Sequence, residues 1–376
     1  MKMVLITDLV FKVDTKSGSD NENTLHWLCD WLRFAESSTV FGSYETCSYL
    51  LKLTEKNPVG NFLVKELPGQ IGNSLFRRIV RPYQALTIAL RFLLAARKCD
   101  HLLIHYSGGR SAIALFLLPF FSTDAKTVIY DRNWGVGSKR SRTEGLLRLL
   151  LGWKFFTRRS QILIYNEPLP TQTAFKYVVQ PLYKKIHAEE IRVRKFTPCI
   201  KFLHTGGLDP EFQPVLACKL IRRLVVEGYP VKLHFHCKGN DSERKPVEDF
   251  IKRNELEGQI HLHSIPKNGL SLQVFREAHF FLYLVRDAVW PISIAKAMSL
   301  GCLPVATPVG CIPQLIGDNL ERGILTIPDP EVMASNLKGV LNNEPLYAEK
   351  ANAASLYSAR FSPEKGRREI LEILNT

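Results

Sequence analysis

The sequence predicts an α/β protein built from two Rossmann-like domains that face a cleft. Short apolar segments of strand length alternate with amphipathic segments of helix length, which is the pattern of a doubly wound parallel sheet. The alternation stops at a basic, strand-poor segment over residues 184–201 and then starts again. The length of 376 residues is also more than one hydrophobic core usually serves.

These observations place the domain boundaries. We predict an amino-terminal domain over residues 1–185 and a carboxyl-terminal domain over residues 186–360. Residues 361–376 contain a predicted helix, Pro363–Leu374, which we expect to pack back on the first domain. Ligands of open α/β sheets bind beyond the carboxyl ends of the strands, so the cleft is the expected site.

The elements of the first domain follow from hydrophobic periodicity. The apolar segment Met3–Ile6 predicts a buried strand, and Thr24–Leu32 predicts a helix after a polar loop at residues 14–21. The further predictions are strands over Asp100–Tyr106, Thr127–Tyr130 and Gln161–Tyr165, a turn at Gly108-Gly109, and a helix over Ser111–Phe121.

The second domain repeats the alternation. Its predicted strands are Phe202–His204, Val231–Phe235, Ile260–His263 and Phe280–Val285. Its predicted helices are Pro214–Glu227, Val247–Asn254 and Leu270–Ala278. A helix opening on Pro291, another apolar strand and a glycine turn into a final helix complete the unit.

Composition and charge restrict the function classes. An apolar fraction of 45% and a charged fraction of 23% are typical of a soluble globular protein. The net charge of +14 is uneven, because residues 1–180 hold 24 Lys and Arg against 14 Asp and Glu. This asymmetry favours phosphate-rich partners such as anionic lipid, nucleic acid or a lipid diphosphate, although solubility alone explains it equally well. Eight scattered cysteines and a first strand without signal-peptide features predict a cytoplasmic protein.

Residues 280–316 are the most informative segment. The predicted helix there opens on Pro291, where proline loses no hydrogen bond. The amides of its first turn, which includes Ser293, point into the preceding loop and could hold a diphosphate with help from the helix dipole. On geometry alone, an ordinary crossover from strand to helix explains this segment better.

The same segment resembles the nucleotide-sugar half of GT-B glycosyltransferases and is most similar to the large retaining family 4. The residues in register with that family are Ala297, Met298, Gly301, Pro304, Val305, Thr307, Gly310, Ile312 and Pro313. The resemblance implies a nucleotide-diphosphate sugar as donor substrate, retention at the anomeric carbon, and neither a metal nor another cofactor. It also implies that Thr307 and Gly310 belong to the donor site.

The sequence departs from the family at the donor contacts. Ala288 stands for the glutamate that contacts the donor sugar, and Lys296 stands for the glutamate that holds the ribose. Gln314 replaces the glutamate that closes the last turn. Gly207 and Phe212 occupy the positions of an arginine and a lysine that bind the diphosphate.

Neighbouring residues offer replacements. Asp287 could accept hydrogen bonds from sugar hydroxyls, and Arg286 or Lys296 could supply the missing positive charge. Gly206 and Gly207 remain candidate donor contacts, because they occupy the segment in which the family binds the diphosphate. A solvated helix residue is an equally good interpretation of Lys296.

The first domain supplies three further candidates. Gly18 lies where the family has a glycine-rich turn near donor and acceptor, but a plain surface loop explains it better. Asp131 follows the third predicted strand, where relatives have His-Gly, and it could orient an acceptor hydroxyl. By exact position, Asn133 is the alternative to Asp131 in this role. An Asx turn that begins the loop explains Asp131 equally well. His105 ends the second strand toward the expected cleft, and a structural role is its simpler interpretation.

Two His-x-His pairs raise the question of a metal site. His234 with His236, and His261 with His263, each share one face of a predicted strand. Four imidazoles could bind zinc. Side-chain packing is the usual role of such residues within strands, so we predict no metal site.

Two basic, apolar segments suggest contact with an anionic membrane surface. They are residues 75–98, with Arg77, Arg78, Arg81, Arg91 and Arg97, and residues 146–159. Helices with cationic and apolar faces lie well at such a surface. Packing on the sheet with the arginines outward is the alternative for each segment.

The function predicted from these features is glycosyl transfer. We expect a hexosyltransferase-type enzyme that moves a sugar from a nucleotide-diphosphate donor to a lipid-linked or cell-surface glycan such as lipopolysaccharide, at the inner face of the cytoplasmic membrane. The alternative is an inactive GT-B protein that binds a glycan or a partner enzyme. A sugar-nucleotide epimerase would need an acid/base histidine and carboxylates with no clear counterpart here, and nucleic-acid binding would leave residues 280–314 unexplained.

Overall fold

The computed structural model describes most of the chain. The described residues are 1–8, 18–43, 46, 48–50, 61–67, 76–107, 110–123, 125–131, 142–165, 174–183, 194–238, 240–266, 270–286 and 290–375, without the side chains of 18–22, 62, 76–82, 142–143 and 238. The chain divides into two compact units, Met1–Tyr183 with Glu364–Thr376, and Lys184–Pro363.

The first unit contains a parallel sheet. Its described strands are β1 (Lys2–Thr7), β2 (Ser37–Gly42), β3 (Asn61–Glu66), β4 (His101–Tyr106), β5 (Ala125–Tyr130), β6 (Ser160–Ile164) and β7 (Phe175–Tyr177). They are ordered β3-β2-β1-β4-β5-β6-β7, and every pair is parallel. The helices include α1 (Gly18–Leu32), α2 (Phe76–Ala96), α3 (Ser111–Phe116) and α4 (Arg142–Leu151).

The second unit contains another parallel sheet. Its described strands are β8 (Ile200–Gly207), β9 (Val231–Lys238), β10 (Ile260–Ser264), β11 (Phe280–Tyr283), β12 (Leu303–Ala306) and β13 (Ile324–Leu325), in the order β10-β9-β8-β11-β12-β13. Its helices are α5 (Pro214–Val226), α6 (Asp241–Arg253), α7 (Gln273–Glu277), α8 (Ile292–Ser299), α9 (Ile312–Ile316), α10 (Pro330–Leu341) and α11 (Glu344–Ser358). The predicted class, two Rossmann-like α/β units, is confirmed.

Several element boundaries differ from the sequence prediction. Helix α1 starts at Gly18, so the predicted polar loop at residues 14–21 was wrong for its last residues. Helix α3 ends at Phe116 and not at Phe121, because Pro119 in the following 3₁₀ turn has no amide hydrogen to continue the α-helix. Strands β2, β3 and β7 were missed, since none of them carries a continuous apolar segment.

Two helices in the second unit start at residues other than those predicted. Helix α6 begins at Asp241, six residues before the predicted start, because Asn240 and Glu243 form a reciprocal capping box. Helix α8 begins at Ile292, so Pro291 is its cap and not its first helical residue. Helix α7 is shorter than predicted and covers only Gln273–Glu277.

The last helix, α12 (Pro363–Leu374), belongs to the first unit. Gly366 lies so close to Pro181 that an added Cβ would come within 2.1 Å of the proline ring. The Gln161 side-chain amide donates to the Ile373 carbonyl at 3.3 Å, and the Arg367 guanidinium pairs with the Asp30 carboxylate. These contacts attach α12 to the same sheet as β6.

Among the described residues, no helix combines the length and the apolar character that crossing a bilayer requires.

Candidate active site

The carboxyl ends of β1, β4 and β5 bring polar side chains together at one edge of the first sheet. Thr7 and His105 are register partners on β1 and β4, and the Thr7 hydroxyl lies 3.0 Å from His105 Nδ1. Asp131 follows β5 directly, and its amide donates to the Tyr106 carbonyl at 2.8 Å. The sequence predicted that Asp131 orients an acceptor hydroxyl and that His105 faces the cleft, and the structure brings these two residues into contact.

The contact between His105 and Asp131 defines what each can do. His105 Nε2 lies 3.3 Å from Asp131 Oδ2, a charge-pair distance without the alignment of a full hydrogen bond. The imidazole is completely buried, whereas 23% of the Asp131 side chain is exposed. Only Asp131 can therefore touch a ligand from this edge, while His105 fixes its position. The assignment of His105 as catalytic stays a prediction, and its burial favours a positioning role.

Sequence reasoning missed an ion pair at the same edge. Asp8 follows β1 as Asp131 follows β5, and this shared position after a buried strand was the available signal. Asp8 accepts from the Arg110 guanidinium at 3.1 Å and from the Ser111 amide at 2.8 Å. Burial raises the pKa of the Asp8 carboxyl, and the hydrogen bond from Ser111 and the charge of Arg110 oppose that shift. Gly18, another predicted contact, is the first residue of α1.

In the second unit, the loops after β8, β11 and β12 are tied to one another. The Thr307 hydroxyl donates to the Val285 carbonyl at 2.6 Å, and the Gln213 side-chain amide donates to the Leu284 carbonyl at 3.1 Å. The Arg286 amide donates to the Glu211 carbonyl at 3.2 Å. Because Thr307 is buried with its hydrogen engaged, its structural role is clear, and its donor-binding role stays a prediction.

Gly206 and Gly207 end β8 beneath the ring of Phe212. A Cβ added to Gly206, whose φ is +130°, would lie 2.8 Å from the Phe212 ring. A Cβ on Gly207 would lie 2.3 Å from an Asp209 carboxylate oxygen. Both glycines are therefore required by the packing of Phe212 and Asp209. If they also contact a donor, as predicted, they do so through the backbone.

The amino end of α8 lies beyond β11, where the donor was predicted. Pro291 is buried at the cap, Ser293 is half-buried in the first turn, and Lys296 is half-buried in the last turn. Arg286 is exposed, so its side chain is available to a ligand at this edge. Gly310, with a φ of +58°, makes the turn that precedes α9. The predicted contact Asp287, with Ala288, lies outside the described residues.

The four histidines of the two His-x-His pairs form one stack. Strands β9 and β10 pair in register, His234 with His261 and His236 with His263. His234 Nδ1 lies 3.1 Å from His263 Nε2, and the rings of His236 and His263 are 4.6 Å apart. Burial lowers the pKa of His234 to about 4, and it also lowers the pKa values of His236 and His261. Among the described residues, no group of three or more His, Cys, Asp or Glu is arranged to hold a metal ion.

Comparison with known structures identifies the fold. HepE from Anabaena, solved with UDP, matches with a TM-score of 0.69 at 13% identity over 100% of both chains. A glycosyltransferase from Rickettsia africae matches with a TM-score of 0.70 at 11% identity over 99% of this chain and 97% of the other. The lipopolysaccharide outer core galactosyltransferase WaaB matches with a TM-score of 0.68 at 13% identity over 100% and 99%. The two units together have the GT-B fold.

A family match was found for the second unit. Residues 192–358 match the family Glycosyl transferases group 1. This match covers less than half of the chain, and it confirms the resemblance carried by residues 280–316. No curated protein matches the chain significantly in sequence.

Proposed function

We propose that the protein is a glycosyltransferase that moves a hexose from a nucleotide-diphosphate donor to a lipid-linked or cell-surface glycan, with retention and without a metal ion. The observation that carries the proposal is the family match over residues 192–358, together with the polar edge around Asp131. HepE has been solved with UDP-glucose, which makes UDP the first nucleotide to test.

The first unit would act on the acceptor. The Asp131 carboxylate would accept the hydrogen of an acceptor hydroxyl, so that the hydroxyl oxygen forms a bond to the anomeric carbon of the donor. His105, held by Thr7, keeps the carboxylate in place. Positioning of this kind supplies much of the rate enhancement of a transfer between two bound substrates.

The second unit would bind the donor. As the bond between the anomeric carbon and the phosphate oxygen breaks, the nucleoside diphosphate leaves with the bonding electron pair. Its added negative charge would be stabilised by first-turn amides of α8 and by the cations Arg286 and Lys296. The match of residues 192–358 to the group 1 family supports retention.

Calorimetry on the full chain tests the donor half of the proposal. We expect UDP to bind the unmodified protein and to bind Lys296→Ala about tenfold more weakly. This change corresponds to a loss of about 1.4 kcal/mol of binding free energy. Lys252→Ala removes an exposed lysine from α6 and should leave the affinity unchanged. Failure of UDP, GDP and ADP alike to bind would overturn the proposal.

A separate experiment tests retention. Incubation with UDP-glucose and a lipid-linked acceptor, followed by NMR of the product, gives the anomeric configuration.

A non-catalytic GT-B subunit is the second candidate function. The Phe212 ring over Gly206 and Gly207 favours it, because an apolar side chain covers the backbone where the family binds a diphosphate. This candidate predicts a protein that binds glycan without consuming any nucleotide sugar. Turnover of a donor that depends on Asp131 would exclude it.

We also propose that the protein works at an anionic membrane surface. Helix α2 packs on the sheet through Ile88 and Phe92, and it leaves a second apolar stripe in solvent. The stripe consists of Tyr83, Leu86, Leu90 and Leu94, each between 52% and 71% exposed. Exposed apolar stripes beside cations such as Arg91 and Lys98 match an anionic bilayer, which has both an apolar interior and a negative surface.

Vesicle sedimentation tests this membrane contact. We expect the chain to bind vesicles of phosphatidylglycerol and phosphatidylcholine in equal parts, and the double variant Leu86→Gln, Leu90→Gln to bind several-fold less. Leu356→Gln, which alters an even more exposed leucine in the second unit, is the control and should bind normally. Equal binding by all three proteins would contradict the proposal.

A further inference from the structure

We propose that the first unit contains a phosphate-binding cavity at the sheet edge opposite Asp131. A cavity of about 500 Å³ lies at the amino ends of β4, β5 and β6, beside the end of α12. Asp131 and His105 lie at the carboxyl ends of the same strands, so this cavity is separate from the proposed acceptor site. Its volume falls within the range of pockets that hold small organic ligands.

The lining of the cavity is cationic. Lys126, Lys154 and Arg159 line it, and none of its described lining residues is acidic. Lys126, the second residue of β5, is only 6% exposed. Attraction between such a cation and an anion is stronger in a poorly solvated cavity than in water. An anion is therefore the ligand that this lining attracts.

The uncharged polar groups of the lining contribute less to the binding of an anion. His101 Nε2 lies 2.9 Å from the Thr127 hydroxyl, and burial lowers the pKa of His101 to about 4. The histidine is neutral at pH 7, so it adds no charge to the lining. The Thr157 hydroxyl already donates to the Trp153 carbonyl at 3.3 Å. Charge attraction to a phosphate group thus contributes more than hydrogen bonds from hydroxyls.

Two aromatic side chains suggest where the phosphate comes from. Trp153 and Phe155 flank Lys154 in sequence, they are 59% and 63% exposed, and their rings lie 5.4 Å apart. Exposed aromatic residues beside cations favour the interface of a membrane. The phosphate bound in the cavity could belong to a lipid headgroup or to a soluble phosphate ester, since both present the same oxygen atoms.

The test uses the full chain and two probes. The first probe is inorganic phosphate, followed by calorimetry and by the thermal unfolding midpoint. The second is binding to vesicles of phosphatidylglycerol and phosphatidylcholine in equal parts, compared with pure phosphatidylcholine. The variants are Lys154→Gln, which changes an exposed lining residue, and Arg158→Gln, which removes the same charge from a neighbouring exposed residue outside the lining.

We expect Lys154→Gln to weaken binding about tenfold, equivalent to about 1.4 kcal/mol, while Arg158→Gln binds like the unmodified chain. A difference seen with inorganic phosphate identifies a soluble phosphate ester as ligand class. A difference confined to the phosphatidylglycerol vesicles identifies a lipid headgroup. If neither probe distinguishes Lys154→Gln from Arg158→Gln, or if neither binds the unmodified chain, the proposal is wrong. Nucleotide binding by the second unit does not enter either readout.

Discussion

The two sheets of this protein present very different carboxyl edges. At the edge of the first sheet, Asp8, His105 and Asp131 lie among buried strands and contact polar neighbours at 2.8–3.3 Å. At the edge of the second sheet, β8 ends in Gly206 and Gly207, Thr307 follows β12, and most of the contacts involve backbone carbonyls. One edge thus offers titratable side chains, and the other offers backbone and two flanking cations.

This difference suggests a division of labour. Proton transfer needs a carboxylate that is held in place, and in our proposal Asp131 supplies it at the first edge. Stabilising a diphosphate needs hydrogen-bond donors and positive charge, which backbone amides, Arg286 and Lys296 can supply. Substituting the two edges separately should therefore affect turnover at one and binding at the other.

The largest effect is expected from Asp131→Asn. In our proposal this carboxylate accepts the proton of the acceptor hydroxyl, so we expect its loss to lower kcat by about 100-fold to 10,000-fold with UDP affinity unchanged. Steady-state kinetics and calorimetry check this. Asp100→Asn changes an exposed carboxylate near the amino end of β4 and should leave both quantities intact. Weakened UDP binding in Asp131→Asn would contradict the division between the edges.

The free energy of unfolding should depend on pH through His204, which lies on β8 of the second sheet. Burial lowers the pKa of His204 to about 4, and its Nε2 donates to the Phe212 carbonyl at 3.1 Å. The folded state keeps His204 neutral while the unfolded chain takes up a proton below pH 6.5, so stability is present above that pH and is lost as pH falls toward 4. At pH 5 this loss is about 2 kcal/mol.

Urea denaturation at pH 7.5 and pH 5 measures the effect, with His204→Gln as comparison. Glutamine retains a donor for the Phe212 carbonyl but does not titrate, so the variant should lose about 2 kcal/mol less than the unmodified chain over that interval. An identical pH dependence in both proteins would show that His204 is not responsible.

A smaller effect is expected from Phe212→Lys. This substitution places a cation where the family has a lysine and removes the ring that lies over Gly206 and Gly207. We expect UDP to bind about tenfold more tightly, equivalent to about 1.4 kcal/mol. Phe212→Leu removes the ring without adding charge and is the control in the same calorimetric assay. A gain in Phe212→Leu as large as that in Phe212→Lys would mean that the ring itself is the obstacle.

No effect is expected from removal of divalent cations. The charge at the second edge comes from Arg286 and Lys296 in our proposal, so EDTA should leave the transfer rate unchanged. Rates measured with EDTA and after addition of Mg²⁺ or Mn²⁺ check this. Activity that requires either ion would mean that the two cations do not suffice.

Much of the fold could be predicted from local pattern. Segments such as Phe280–Tyr283 and Leu303–Ala306 are buried on both faces, so their sequence is continuously apolar and identifies them as strands. Strands β2 and β3 have partly exposed side chains and mixed composition, and the same reasoning missed them. The boundaries of α6 and α8 depended on a capping box and on a proline cap, which hydrophobic periodicity does not register.

The candidate site was predictable only in part. His105 and Asp131 could be proposed one by one because each ends a strand or follows one. Asp8 follows β1 in the same way but was not noticed, since its partner Arg110 is more than 100 residues away in the chain. The role of Phe212 could not be foreseen, because a departure from a family pattern does not say what the new side chain covers.

The sequence by itself determined the class of this protein, since the alternation of apolar and amphipathic segments and the spacing of Ala297, Gly301, Pro304 and Gly310 are local properties. Only the tertiary structure decided which side chains meet. The parallel sheet places Thr7, His105 and Asp131 at one edge, and it leaves Lys126, Lys154 and Arg159 at the other. Such contacts depend on strand order and register, which residues far apart in the chain fix together.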